Sequence, residues 1–182
     1  MHLINSRLNQ LICAAALISS PCFAEFYAGG SVGLSQWDDE PKSEGTAYEI
    51  YGGYQFSEFF AAEIALTDPG SFDYSPDYNL NIGTDISGAN YSLVLSYPLS
   101  DAYGLYAKIG LLDYEVERSV NDRTRGKVRD QDVNYALGFQ LNAVDNLWVT
   151  FDYRYYPLSF KYEGIKYELN ADTFSVGARF TF

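Results

Sequence analysis

Glu49 and Glu63 are the carboxylates of this chain that could, as a pair, be asked to do acid–base work. Such work needs a substrate within reach and normally a histidine or an activated nucleophile beside it. The single histidine, His2, and both cysteines, Cys13 and Cys22, fall within the first 24 residues. Ser-His, Asp-His, thiol and His-ligated metal chemistry therefore have no residues to run on in the remainder. No catalytic residues, no cofactor and no metal are expected.

Four further charges, Lys108, Asp152, Arg154 and Arg179, share the parity of Glu49 and Glu63 along alternating segments. Three acids thus face three bases. In a narrow interior the six should pair, because a buried ion left alone costs several kcal/mol. That makes a charge network fixing register and filling the interior a better account of them than a reaction.

The segments that would position these charges alternate with period two. They read as strands at 25–36, 46–56, 59–67, 87–97, 104–116, 132–142 and 147–156, with an eighth in the terminal DTFSVGARFTF. On each strand one parity is apolar or aromatic and free of charge, for example Ala89, Tyr91, Leu93, Leu95 and Tyr97. The fifth lapses where Leu112 and Asp113 take the wrong faces, which predicts a bulge or the edge of the apolar zone. A soluble sandwich would place charges along its exposed face. Here the charges sit on the opposite face, and Tyr and Phe gather near strand ends as interfacial aromatics do. The fold expected is all-β, an eight-stranded antiparallel up-and-down transmembrane barrel. No stretch after the first 24 residues reaches the about 18 apolar residues of a spanning helix, so strands must do the crossing.

The start of the chain reads as a secretory leader: Arg7, the apolar Leu11 to Ile18, then Pro21-Cys22-Phe23-Ala24 before Glu25. Residues 1–24 are expected to be removed, leaving one domain at 25–182. An acylated Cys22 is disfavoured because Pro21 stands where a small residue is needed. The formal charge is −12, and it becomes one unit more negative without Arg7. Nucleic acid is not an expected partner for so acidic a chain.

The links at 57–58, 98–103 and 143–146 are short, whereas those at 37–45, 68–86, 117–131 and 157–171 are long and polar. Their strict alternation places the long ones outside the cell if both termini are periplasmic. The third long link carries Arg118, Arg123, Arg125, Lys127 and Arg129. It is a candidate site for anions: lipopolysaccharide phosphates, or a sulfated external polymer. Equally, it could pair with the acidic loops beside it, which hold Asp38, Asp39, Glu40 and Glu44 in the first and Asp68, Asp73, Asp77 and Asp85 in the second. Asp73, Asp77, Asn79 and Asn81 lack the ligand spacing of a calcium loop and read as solvated charge. Tyr74, Tyr78, Tyr156, Tyr162 and Tyr167 lend the loops an aromatic character suited to protein or glycan contact.

These residues resemble a known family, the small eight-stranded barrels typified by the transmembrane domain of outer membrane protein A. The resemblance rests on YEIYGGYQFSEFFAAEIAL at 48–66, YSLVLSYPLSDAYGLYAKIG at 91–110, LWVTFDYRYY at 147–156 and the terminal FSVGARFTF. It implies a closed barrel of the Gram-negative outer membrane with a polar, side-chain-filled interior. Members serve as envelope structural proteins, adhesins, serum-resistance factors or weak pores. Large relatives add a peptidoglycan-binding domain, and this chain stops at the barrel, so such anchoring is not expected.

The family's luminal glutamate falls on Glu63, but its arginine partner falls on Thr150, and a second lysine–glutamate pair falls on Val94 and Gln140. Gate-like ion pairs are therefore expected to be absent or rewired. Lys108 and Asp152 match a basic and an acidic position of the family, with Arg154 two residues along the same face. Phe174, Phe180 and Phe182 stand as the terminal assembly signal, implying the barrel-assembly machinery as a partner during insertion. The function expected is a non-enzymatic envelope component presenting four extracellular loops among lipid and lipopolysaccharide. The alternatives are a surface adhesin or resistance factor with an extracellular protein or glycan ligand, and a small low-conductance pore.

Overall fold

The computed structural model describes residues 24–38, 43–77, 80–120, 123–162 and 165–182. The leader expected at 1–24 lies outside them, Ala24 excepted. Eight strands follow in order: β1 Glu25–Trp37, β2 Ser43–Gln55, β3 Phe60–Asp77, β4 Leu80–Pro98, β5 Tyr103–Val120, β6 Arg123–Val144, β7 Leu147–Tyr162 and β8 Ile165–Thr181. Each pairs antiparallel with its neighbours, and β8 returns to β1 to close the barrel. The closing seam runs from Tyr27↔Thr181 to Trp37↔Ala171, and the Phe182 N–H donates to the Phe26 carbonyl at 2.9 Å. Closure satisfies every strand edge in this zone, as an apolar surrounding demands.

The short turns are built from local chemistry. Ser57 Oγ accepts the N–H groups of Phe59 and Phe60 at 3.3 and 3.2 Å. Asn146 takes a left-handed φ of 62° in the β6–β7 turn, a conformation that asparagine tolerates better than most residues.

The long links differ from expectation. Their described residues are not loops but continuations of the strands: β3 runs to Asp77 and β4 starts at Leu80, β5 runs to Val120 and β6 starts at Arg123, and β7 runs to Tyr162 with β8 starting at Ile165. No bulge sits at Leu112–Asp113, since β5 pairs β4 continuously from Gly104 to Val120. Its ladder with β6 shifts only between Arg118 and Ser119. The parity never lapses; the surroundings change. Leu111 is the last outward apolar residue of β5, and above it Asp113, Glu115 and Glu117 face out while Leu112, Tyr114 and Val116 face in.

At this height the barrel parts into two sheets. Pairing of β2 with β3 ends at Tyr48↔Asp68, and pairing of β6 with β7 ends at Tyr135↔Tyr155. Beyond these points β3–β4–β5–β6 form one sheet and β7–β8–β1–β2 the other, among the described residues. Their inner faces share one apolar core of Trp37, Ile86, Leu112, Tyr114, Val116, Tyr156, Leu158, Leu169 and Ala171. Tyr156, expected as a loop aromatic, is part of that core. We call this two-sheet end the head and the apolar-surfaced zone the belt.

Gly70, with φ of 102°, marks the point where β3 bulges between Thr67 and Gly70 to enter the head. Its left-handed backbone suits glycine alone. In the belt, Tyr27, Tyr51, Ala61, Ala65, Val94 and Tyr106 form an inner cluster. The Tyr106 ring lies across its cross-strand partner Gly138, where a Cβ would overlap it. The belt's outer surface is lined by Phe26, Leu34, Ile50, Ile64, Leu66, Leu93, Leu137, Phe174 and Phe182, all exposed. Its rings meet in pairs, such as Phe26 with Tyr54 at 4.8 Å and Phe180 with Phe182 at 5.3 Å between centroids.

Candidate functional site

Two sets of charged residues have a built geometry: one inside the belt, one on the β5–β6 hairpin of the head. Inside, Glu49 stands on β2, Glu63 on β3, Lys108 on β5, Asp152 and Arg154 on β7 and Arg179 on β8, all at inward parity. Lys108 Nζ lies 2.7 Å from Glu63 Oε1. The Tyr27 hydroxyl donates to Glu63 Oε2 at 3.1 Å, and the ammonium sits 4.9 Å from the Tyr51 ring centroid and 5.4 Å from that of Tyr106. Arg154 grips Glu49 with both terminal nitrogens, Nη2 at 2.9 Å from Oε1 and Nη1 on Oε2. Its Nη1 also reaches the Tyr156 hydroxyl at 3.4 Å, which lies 3.3 Å from Thr67 Oγ1.

Asp152 and Arg179 do not join this arrangement as a third pair. Arg179 lies between the rings of Tyr27 and Trp148, 5.1 and 5.5 Å from their centroids. Asp152 faces the Tyr106 hydroxyl. Among the described residues, Asp152 Oδ1 and Arg179 Nε have no hydrogen-bond partner. Parity places all six on one face, but pairing needs a shared height as well. Asp152 and Arg179 stand opposite Ser175 and Trp148 respectively, not opposite each other. Glu63 does not face Thr150, the family position for its partner; it is held by Lys108 instead.

Reading the sequence for inward charges overlooked the inward tyrosines and amides. Tyr27, Tyr51 and Tyr106 wall the Glu63–Lys108 pair, and Asn90 and Asn134 exchange amide hydrogen bonds of 2.8 and 3.3 Å over Gly110 of the intervening β5. Their parity was readable from the same alternation that exposed the charges. The lumen is thus packed by side chains, as an eight-stranded barrel is only about wide enough to allow. A small cavity of about 20 Å³ lies beside Glu49, Arg154, Tyr156 and Thr173. That is room for about one water molecule.

On the head, Lys127 bridges Glu115 at 2.8 Å and Glu117 at 2.9 Å. Arg129 clasps Asp113 through Nε at 2.8 Å and Nη2 at 3.0 Å. The Arg129 hydrogen bond holds the Asp113 carboxyl below its ordinary pKa, and Glu115 followed by Glu117 raises the Lys127 ammonium. Arg118, Arg123 and Arg125 lie on the same hairpin, but their side chains are outside the described residues. The alternative to anion binding was pairing with the acidic loops beside these bases. The two that are described meet β5 of their own hairpin instead, because antiparallel pairing sets Glu117 opposite Lys127 and Glu115 opposite Arg129. The side chains of Asp73 and Asp77, and of Asn79 and Asn81, also lie outside the described residues.

Where the sheets part, Asp132 on β6 spans the gap to β7. Its carboxylate accepts the Ser159 N–H at 2.6 Å and the Tyr114 hydroxyl at 2.7 Å. Nothing in the sequence pattern singled it out, since its partners are 27 and 18 residues away. Phe180 and Phe182 project outward at the end of the barrel away from the head, and Phe174 projects outward on β8 near the head boundary.

Comparison with known proteins agrees with this geometry. The chain is 25% identical over 122 residues to outer membrane protein A of Salmonella typhi, a match covering 63% of this chain and 35% of that protein. It therefore spans about a third of the length of that relative. Among solved structures it resembles neisserial surface protein A, with a TM-score of 0.69, 13% identity, and coverage of 86% of this chain and 97% of that one. It also resembles Ail, the attachment invasion locus protein of Yersinia pestis, solved in complex with the heparin analogue sucrose octasulfate. There the TM-score is 0.61 at 13% identity, covering 88% of this chain and 99% of that one. These two likenesses establish the fold. Residues 11–182 match the model of the outer membrane protein beta-barrel domain, and with its apolar belt and closed eight-strand ladder the chain belongs to that family of outer-membrane barrels.

Proposed function

We propose that the protein is a closed, non-conducting and non-catalytic component of the envelope that holds a rigid two-sheet head above the bilayer. The observation carrying this is the filled interior: the two ion pairs and the tyrosines occupy the belt, and the apolar head core closes the far end. An ion crossing the barrel would have to break buried pairs and enter that apolar core, at a cost of several kcal/mol for each unpaired charge. The same pairing commits Glu49 to Arg154 and Glu63 to Lys108 and Tyr27, which leaves neither carboxylate free for acid–base work. With the short turns and both termini periplasmic, the head faces the exterior among lipopolysaccharide, and the outward Phe174, Phe180 and Phe182 serve recognition by the assembly machinery. Residues 1–24 act as the removed leader, which N-terminal sequencing of the protein from membranes would check.

Purified barrel in planar bilayers should give no steady single-channel current; regular conductance steps would overturn the reading in favour of a pore. A deletion strain should admit a bulky antibiotic more readily, and complementation should restore exclusion.

A second reading, surface binding of an anionic ligand, is favoured by the basic hairpin at the tip of the head. The sulfated ligand of the Ail complex belongs to that protein, and here it serves only to choose a probe. Neutralising Arg118, Arg123, Arg125, Lys127 and Arg129 should abolish binding of a sulfated oligosaccharide if that reading holds.

A further inference from the structure

The outer wall of β2–β5 carries two grooves, one above the other. The upper groove, about 520 Å³, opens where β2 and β3 stop pairing: Ile50 and Leu66 form its lower wall, Gly88 and Ala89 its floor, Asp68 and Glu115 its upper wall. Register sets this arrangement. Ile50 stands opposite Leu66 and Leu66 opposite Ala89 in one row, while Tyr48 stands opposite Asp68 and Ser87 opposite Glu115 in the next. The lower groove, about 980 Å³, runs through the belt over Gly52 and Ala62, between Phe26, Tyr54, Ile64 and Leu93. One groove is polar along its upper side and stands at the lipid boundary. The other has apolar walls and stands in lipid.

Most charge in the upper groove is already matched, since Arg129 clasps Asp113 and Lys127 bridges Glu115. Asp68 is exposed and meets no cation among the described residues; its Oδ1 accepts the Gly70 N–H at 2.9 Å. Its cross-strand partner Tyr48 is 56% exposed on the same face. A carboxylate beside an open aromatic ring attracts an ammonium group twice over, by charge and by the ring quadrupole. The β6–β7 side is finished differently. There Asp132 fills the junction between the sheets with its own hydrogen bonds. The Tyr153 hydroxyl is taken by Asp172 at 2.6 Å and that of Tyr155 by Asn170 at 3.1 Å.

From this we infer that the β2–β5 wall holds one phospholipid with an ethanolamine headgroup, its ammonium between Asp68 and Tyr48 and its chains descending over Ile50 and Leu66 into the belt groove. The stacking of a polar-sided groove on an apolar one selects an amphiphile over a soluble amine. Asp68 selects an ammonium over a purely anionic head. A single groove between two rows of side chains suits a two-chain lipid and not the many chains of lipid A. The bound headgroup covers the point at which the β2–β3 ladder ends, as Asp132 does on the other side. None of this depends on whether the barrel conducts.

The test titrates phosphatidylethanolamine or phosphatidylglycerol, with identical chains, into the folded full barrel in neutral detergent micelles and reads the retained lipid by native mass spectrometry. One phosphatidylethanolamine per barrel should be retained, about fivefold or more tightly than phosphatidylglycerol. Asp68→Asn keeps an oxygen for the Gly70 N–H while removing the charge, and should lower that preference by about two- to fivefold. Tyr48→Leu should lower it by a similar factor, and Tyr48→Phe, which keeps the ring, should not. Asp172→Asn removes an equal charge from the boundary of the other wall and should change nothing. All four variants should keep the heat-dependent electrophoretic mobility of a folded barrel. Equal retention of the two lipids by the wild type, or equal losses in Asp68→Asn and Asp172→Asn, would overturn the proposal. Displacement of the retained phospholipid by lipid A at equal concentration would overturn it as well and assign the wall to lipopolysaccharide.

Discussion

The belt and the head are made from the same strands with the same parity, yet their polarity is inverted. On β5, Leu105, Ile109 and Leu111 face out around Lys108, whereas above them Asp113, Glu115 and Glu117 face out around Leu112, Tyr114 and Val116. The backbone does not change between them; the solvent does. Lipid outside rewards apolar side chains on the outer face, leaving charges to the lumen, and water outside reverses both preferences. The belt therefore needs its ring closed so that no backbone group meets lipid unpaired. The head can tolerate open edges, and it gains a core by folding its two sheets together.

The comparison breaks most severely at the interior charges. Lys108→Ala would leave Glu63 buried without its cation, and should cost about 3–5 kcal/mol in reversible urea unfolding. Replacing both members, Lys108→Met with Glu63→Leu, should recover most of that loss. If the single change is harmless, the belt interior is wetter than its packing indicates.

A step lower come substitutions that place one charge in each zone. Leu93→Arg, on the lipid face, should cost about 2–4 kcal/mol if it lies near the bilayer midplane. Asp113→Arg, outward on the head two residues beyond Leu111, should leave folding intact and cost only the clasp with Arg129. Comparable losses at the two sites would move the lipid boundary away from Leu111.

Asp132→Ala tests the seam between the sheets. The Ser159 N–H and Tyr114 hydroxyl lose their acceptor, at about 1–3 kcal/mol where such groups are buried. Amide exchange should quicken at residues 156–160 and 128–134 of the head while belt amides stay protected. Uniform loss of protection would mean that belt and head unfold as one unit.

The smallest effect is the pH response of the exposed Asp113–Arg129 clasp. The folded carboxyl has a lowered pKa, so its contribution is fully present above the unfolded value, near pH 3.9, and is lost as pH falls through the folded one. The stability difference between wild type and Asp113→Asn should shrink toward zero as pH falls from about 3.9 through the lowered folded value. A difference that grows in acid would contradict the clasp.

Strand number, order, closure and the lipid-facing set were legible because each depends on parity, and parity is local. Leu112 and Asp113 looked like a fault because one rule of polarity was applied to a strand that crosses two solvents. The links at 68–86 and 117–131 looked like loops for the same reason: Ile86 follows Asp85 and Val128 lies between Lys127 and Arg129, a signal that is plain only when the face toward the core is known. Pairing of Glu63 with Lys108 and of Glu49 with Arg154 lies 45 and 105 residues apart, so no spacing rule reaches it.

By itself, then, the sequence determined that this chain closes into an eight-stranded barrel with charge inside and apolar surface outside, because side-chain direction along a strand repeats every two residues. Only the tertiary structure decided which interior charges meet, where the barrel divides into two sheets, and that Asp132 links those sheets to Ser159 and Tyr114. Those depend on the heights at which distant strands come into register, and height around a closed ring is a property of all eight strands together.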